Sequence, residues 1–593
     1  MSQRSLCCGS FRRRWPTATG SHAGRNRSTS SKKGPSTSSA HVATGASEVA
    51  RALRARDVST VFALCGDHTN PILESCDDEQ IRIVDGRDER GVAWMAAGWA
   101  LATGEPGVVV VSNTPALTNA ATALADSTFS GIPVLCLTGG VALTDRGKGH
   151  PGDQDQAGMA APISKWSVLL EDPAEASALI SRSCQIAGAP RPGSVVVELP
   201  MDVQQRRVER GVEEISLHTP ERDAETPNVS EIARRLGSAE RPVIIAGSGC
   251  FWDGAGDALR AFAERARIPV FTARAARGLL SDDHELCMGF PNLLAPAAQT
   301  IFGEADVALV LGAELDVLMG NGAFHPGCTL IRVDQDPNAF AIGRPAEIAL
   351  VASPGATLDA LLQDATALDA DAWVKRLRDA VDARAADVAK RAQISSAPLH
   401  PGRMIAEVAS KLTPDAIVTV DAGELALWAI DAIPARAPSS FHTSAASAMG
   451  ALGMGLPWAI GMKAARPERP VVAICGDGSF GFTAMEVETS ARHGLPVAAV
   501  IGNDGGWGIV RHLQRALYGR ALASDLPVAP YELLAEFAGG TGDRVETPKQ
   551  LEIAVTNALV SAKPSVINAI VDPAAEHEAM PLIAAMFAAR APG

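Results

Sequence analysis

The sequence predicts an α/β protein made of three doubly wound parallel-sheet domains behind a disordered basic tail. Three observations predict it. The chain has 593 residues, too many for one core when compact domains run to about 100–200 residues. Short, continuously apolar runs alternate with stretches of helical period, the pattern of strands covered on both faces by crossover helices. Polar, Pro-containing stretches at 205–228 and 395–401 divide the alternation into three sets.

In the first set the period predicts a helix over 46–56, a strand over 60–64, a long helix over 87–103 and strands over 107–112, 133–137 and 194–199. This domain is expected to span 45–215. The second set has buried-type strands at 242–246, 268–272, 307–311 and 329–333, in a central domain over 228–370. A charged helix over 371–391 leads to the third set, with strands at 417–420, 471–475 and 498–502 in a domain over 398–575.

Composition excludes several classes of function. With 53 basic and 67 acidic residues the formal charge is -14, and no basic stripe interleaved with aromatics occurs, so nucleic acid is not an expected partner. The longest uncharged stretch, 437–462, holds four glycines and two prolines, poor material for a membrane helix. The ten cysteines are scattered, with Cys7-Cys8 the one close pair, which points to a reduced compartment and no zinc site. Residues 1–44 contain no Asp or Glu and carry Arg12, Arg13, Arg14, Arg25, Arg27, Lys32 and Lys33. That composition reads either as a disordered tail on a cytoplasmic protein or as an organelle-targeting segment.

The strongest chemical signal is Gly476-Asp477-Gly478-Ser479, placed at the end of a predicted strand and followed by a helix and a second strand that ends in Asn503-Asp504-Gly505-Gly506. Magnesium takes hard oxygen ligands, one or two of them carboxylates and the rest phosphate or water. Asp477 and Asp504 offer those oxygens, while the glycines let backbone amides approach a diphosphate. A lone Gly-Asp-Gly is most often only a turn. Here, however, 24 residues separate it from Asn503, and the whole arrangement resembles the signature of thiamine-diphosphate-dependent enzymes, the group that includes acetolactate synthase and benzaldehyde lyase.

The resemblance covers about 45–575 and implies a pyrimidine-binding, a central and a diphosphate-binding domain. It implies thiamine diphosphate and magnesium as cofactors, with the metal on Asp477, Asp504 and the carbonyl of Gly506, and Asn503 as the alternative ligand. Asp504 stands where the family usually has Asn. Gly476, Gly478 and Ser479 would contact the cofactor, as would Gly423 in the segment Asp421-Ala422-Gly423-Glu424. Ser447-Ala448-Met449-Gly450 resembles the segment whose bulky apolar residue, here Met449, wedges between the cofactor's rings. Glu89, opening a long helix, resembles the glutamate that activates the aminopyrimidine, with Asp88 in place of the family's His.

In the family these domains meet across subunits, so the expected state is a homodimer or tetramer with shared active sites. Val510 replaces the catalytic glutamate of pyruvate decarboxylase-like enzymes. Gly66-Asp67-His68 is similar to benzaldehyde lyase, making His68 a candidate proton carrier. Pro151, Asn113 and Asp88 depart from the patterns they match. Gly247, Gly249, Gly312 and Glu314 in the central domain are compatible with FAD, with another nucleotide or with empty turns. The expected activity is decarboxylating carboligation of a 2-oxo acid. The alternatives are a lyase acting on 2-hydroxy ketones or 2-hydroxyacyl thioesters, and a catalytically silent, cofactor-binding paralogue.

Overall fold

The computed structural model describes residues 43–208, 228–292, 295–447 and 449–588. Of the expected tail, Ala43 and Thr44 alone fall within these, and both are part of the fold. Ala43 is buried, and Thr44 caps the helix Gly45–Ala55.

The chain builds three all-parallel sheets. The first contains β1 (Thr60–Ala63), β2 (Arg82–Asp85), β3 (Gly107–Val111), β4 (Val134–Gly140), β5 (Trp166–Leu169) and β6 (Ser194–Pro200), in the order 2-1-3-4-6-5. The second contains β7 (Pro242–Ala246), β8 (Val270–Thr272), β9 (Val307–Leu311), β10 (Thr329–Asp334) and β11 (Ile348–Val351), in the order 11-10-9-7-8. The third contains β12 (Ile417–Val420), β13 (Phe441–Thr443), β14 (Val471–Gly476), β15 (Ala498–Asn503), β16 (Thr541–Val545) and β17 (Ser565–Ile570), in the order 13-12-14-15-17-16. The first and third sheets thus share one strand order, a relation no sequence repeat announces.

Eleven strands were expected at the positions where they lie. The other six are β2, β5, β11, β13, β16 and β17, and all but β17 are sheet edges. β2, β5, β11 and β16 are partly open to water, so their residues mix polar with apolar and lose the continuous run of a covered strand, whereas β13 is buried but only three residues long with His442 at its centre. In β17 the run is broken by Asn568, whose amide is satisfied inside the fold by Glu532 at 2.6 Å and Asn503 at 3.0 Å.

The helix Glu89–Thr103 is apolar on nearly every side because it is enclosed. One side covers the first sheet, and another packs on the helix Gly455–Ala465 of the third, so that the two sheets share a core containing Trp94, Met95, Trp458 and Ile460. Small residues set the spacing: a Cβ on Gly98 would stand 2.4 Å from the Trp458 carbonyl, and one on Gly461 2.0 Å from that of Met95. No helix among the described residues is long and apolar enough to cross a membrane.

Candidate active site

In a doubly wound sheet, ligands sit beyond the carboxyl ends of the strands where the winding direction reverses. In the third sheet that point lies between β12 and β14. Gly423 follows β12 and Asp477 follows β14. Gly423 has φ +117°, a conformation L side chains avoid, and it leaves the crevice open above it.

Asp477 is 1% exposed. Its Oδ2 accepts the Gly506 amide at 3.0 Å, and its Oδ1 is buried with no protein partner. Asp504 comes alongside from the end of β15. Burial, reinforced by the Asp504 carboxylate, pushes the Asp477 carboxyl up to about 7, and burial raises that of Asp504 as well. Two crowded carboxylates that resist ionising together are relieved by a cation between them. Gly505, at φ +64°, turns the chain so that Gly506 faces Asp477.

Gly423, Gly476, Asp477, Gly478, Ser479, Asp504 and Gly506 all line one cavity of about 700 Å³. Trp507 lies against Gly478, where a Cβ would come within 2.7 Å of the ring. Val510, His512 and Glu424 also line the wall, with His512 Nδ1 2.6 Å from Glu424 Oε2. The Asn503 side chain is directed elsewhere: it braces the turn through the Gly505 amide, Asn568 and the Ala529 carbonyl.

The remaining candidates do not line this cavity. Glu89 opens its helix behind the N-cap Asp88, whose Oδ1 accepts the Arg90 amide at 2.9 Å, and Glu89 Oε2 accepts Asn119 Nδ2 at 3.0 Å. His68 lies in the turn after β1, its Nδ1 2.8 Å from Asp67 Oδ1 and its carbonyl held by Gln204. The Ser447 hydroxyl bonds the buried Asp126 and receives the Met449 and Gly450 amides at 3.2 Å, and Met449 is 44% exposed. Ser447 therefore shapes the Met449 loop, while Met449 itself projects outward.

The departures from the family pattern have structural partners. Asp88 is a helix cap. Asn113 and Thr114 tie down the loop at Pro151 and Gly152. Asp504 forms an ion pair with Arg511, which is 3% exposed. Room for that pair is made by Gly506, where a Cβ would lie 2.5 Å from Arg511 Nη1, and Gly508, where one would lie 2.6 Å from Asp504 Oδ2. Arg511 was not found from sequence, since nothing marks one arginine on an amphipathic helix as a buried counter-ion.

A second cavity, of about 760 Å³, opens beside the ends of β7 and β9 and is lined by Gly247, Gly249, Arg274, Gly312 and Glu314. These glycines also pack on one another: a Cβ on Gly247 would stand 2.4 Å from the Gly312 carbonyl. An adjoining chamber holds His442, Trp252 and Trp458, whose buried ring nitrogens lack protein partners, and burial keeps His442 neutral by lowering it to about 4. The residues present fit an aromatic ligand with hydrogen-bonding edges.

Three family models match the chain: the N-terminal TPP binding domain of thiamine pyrophosphate enzymes over residues 43–159, their central domain over 229–361 and their C-terminal TPP binding domain over 421–569. The acetolactate synthase large subunit IlvG of Mycobacterium tuberculosis is 34% identical over 538 residues, 89% of this chain and 96% of that protein. The large subunit of acetolactate synthase isozyme 2 of Escherichia coli K12 is 29% identical over 89% of this chain and 95% of its own length. A probable 2-ketoarginine decarboxylase, AruI of Pseudomonas aeruginosa, is 34% identical over 79% and 83%.

Proposed function

Because the chain belongs to the thiamine pyrophosphate enzyme family, we propose that it is a decarboxylating carboligase acting on 2-oxo acids in the manner of an acetolactate synthase. The observation that carries this is the unpartnered Asp477 Oδ1 beside Asp504 in a glycine-walled cavity. When bound, thiamine diphosphate supplies a carbon nucleophile that attacks carbonyls and an electron sink for loss of carbon dioxide.

The chain's own residues do the rest. Asp477, Asp504 and the Gly506 carbonyl hold magnesium, while Gly423, Gly476, Gly478 and Ser479 let the diphosphate approach the backbone. Glu89 holds a proton against the cofactor's aminopyrimidine nitrogen, oriented by Asn119. Since Glu89 and Met449 lie outside the cavity of their own chain, the working unit is a homodimer or a larger assembly in which copies share sites. The second cavity and the chamber that adjoins it take FAD, the chamber offering the unpartnered ring nitrogens of Trp252, Trp458 and His442.

The test is carbon dioxide release from pyruvate with thiamine diphosphate and magnesium, followed by product identification. A 2-hydroxy-2-methyl-3-oxo acid supports the reading, and a free aldehyde as sole product overturns it. The Asp67–His68 contact favours one second reading: a carboxylate that orients an imidazole suits proton transfer in a lyase. Cleavage of 2-hydroxy ketones without any release of carbon dioxide from pyruvate would select it.

A further inference from the structure

The turn that presents Glu89 is gripped from outside its own sheet. It runs from the end of β2 through Gly86, Arg87 and Asp88, and the segment 482–493, which follows the Asp477 turn in the third sheet's chain, lies along it. At one end Arg492 Nη1 meets Asp85 Oδ1 at 2.6 Å, and the His493 ring lies 2.9 Å from the same atom. Further along, Arg90 Nη2 donates to the Phe482 carbonyl at 3.1 Å.

Between these contacts sits Glu486, 1% exposed. The Arg87 amide donates to its carboxylate at 3.1 and 3.3 Å, and Thr489 Oγ1 donates to Oε2 at 2.6 Å. Two glycines of the Glu89 turn make room for it. A Cβ on Gly91 would lie 2.4 Å from Glu486 Oε1, and one on Gly86 3.2 Å from Oε2. An acidic side chain this buried is held at a cost, since burial disfavours its charged form. Nothing in the metal site or the cavity wall uses it. Its one evident task is to hold the backbone immediately before Glu89.

We propose that Glu486 is the positioning residue for Glu89: it fixes the Gly86–Gly91 turn so that the Glu89 carboxylate meets the cofactor in one orientation. This rests on the reading of Glu89 as the group that activates the cofactor. A misplacement of about 1 Å at a reacting group can cost on the order of a hundredfold in rate, so one lost contact under this turn has a measurable effect.

The test is the rate at which the C2 proton of bound thiamine diphosphate exchanges with deuterium, read by NMR after acid quench alongside calorimetric binding of the cofactor with magnesium. Glu486→Ala is expected to slow exchange by roughly ten- to a hundredfold with cofactor affinity little changed. Glu486→Gln keeps an acceptor for the Arg87 amide and restores most of the rate. Should Glu486→Ala fail to fold, Gly91→Ala makes the same test, because its methyl displaces the Glu486 carboxylate while alanine favours the helix. Wild-type exchange in the folded Ala variants overturns the positioning role. If Glu89→Gln itself exchanges at the wild-type rate, the role of Glu89 falls and this inference falls with it, whereas slow Glu89→Gln beside fast Glu486→Ala removes the positioning role alone.

Discussion

Arg511 is expected to be the counter-charge that makes an aspartate tolerable at position 504. The pair is enclosed, with Arg511 3% exposed and also reaching the Asp504 and Gly505 carbonyls at 3.4 Å. Arg511→Met leaves the Asp504 carboxylate buried beside Asp477 without its cation, and breaking a buried pair from one side costs about 3–5 kcal/mol. Asp504→Asn leaves a buried guanidinium that keeps its carbonyl contacts and is expected to cost less, about 1–3 kcal/mol. Combining the two removes both charges and rebuilds an Asp-and-Asn metal site. The double variant should therefore be more stable than Arg511→Met alone, with a coupling of roughly 2–3 kcal/mol. Chemical unfolding of metal-free, cofactor-free protein, followed by tryptophan fluorescence, measures all four corners of the cycle. In the same samples Mn²⁺ should bind the double variant much as it binds wild type. Strictly additive costs would refute the argument, since they would mean that the two side chains do not neutralise each other.

Glu89→Gln should lower carbon dioxide release from pyruvate by roughly 10²–10⁴-fold while calorimetry still detects cofactor binding. The Glu486 carboxyl, raised by burial to about 7, faces Arg87, Asp88 and Thr489. Its contribution to stability is full below about pH 4.5 and is lost as pH rises through about 7. Melting temperatures should accordingly favour Glu486→Gln over wild type more at about pH 8 than at about pH 5, and an unchanged difference would contradict the assignment. Gly461→Val forces a side chain into the Met95 carbonyl and should destabilise the chain by about 1–3 kcal/mol or more, visible as a lower thermal midpoint. Protein purified without added flavin, or reconstituted with FAD, should show flavin absorbance in the visible, and Trp252→Phe should weaken FAD binding.

By itself the sequence determined the β/α alternation, eleven of the strands including every interior one but β17, and Gly476, Asp477, Gly478, Asp504 and Gly506 on the wall of the metal-side cavity. Each of these is written in local pattern: a continuous apolar run for a strand with two covered faces, and Gly-Asp-Gly and Asn-Asp-Gly-Gly at strand ends where loops must approach phosphate. The family match added Gly423, Ser479, Ser447, Met449, Glu89 and His68, of which local pattern alone would have left Glu89 as a first-turn acid and His68 as a loop histidine. What the tertiary structure decided depends on partners far apart in the chain. Edge strands such as β2 and β16 look mixed because water covers one side of them, a fact of sheet position. Asp504 replaces the family's Asn, and its counter-ion is Arg511, seven residues on and packed against it; Asp88 replaces a histidine, and it caps its helix. Glu486 carries no sequence mark at all, because its partner is the Arg87 amide some 399 residues away, and a backbone N–H is the same at every position but proline. The need for a bond to a buried amide is set by composition and burial. Which side chain supplies it is set by the meeting of the first and third sheets.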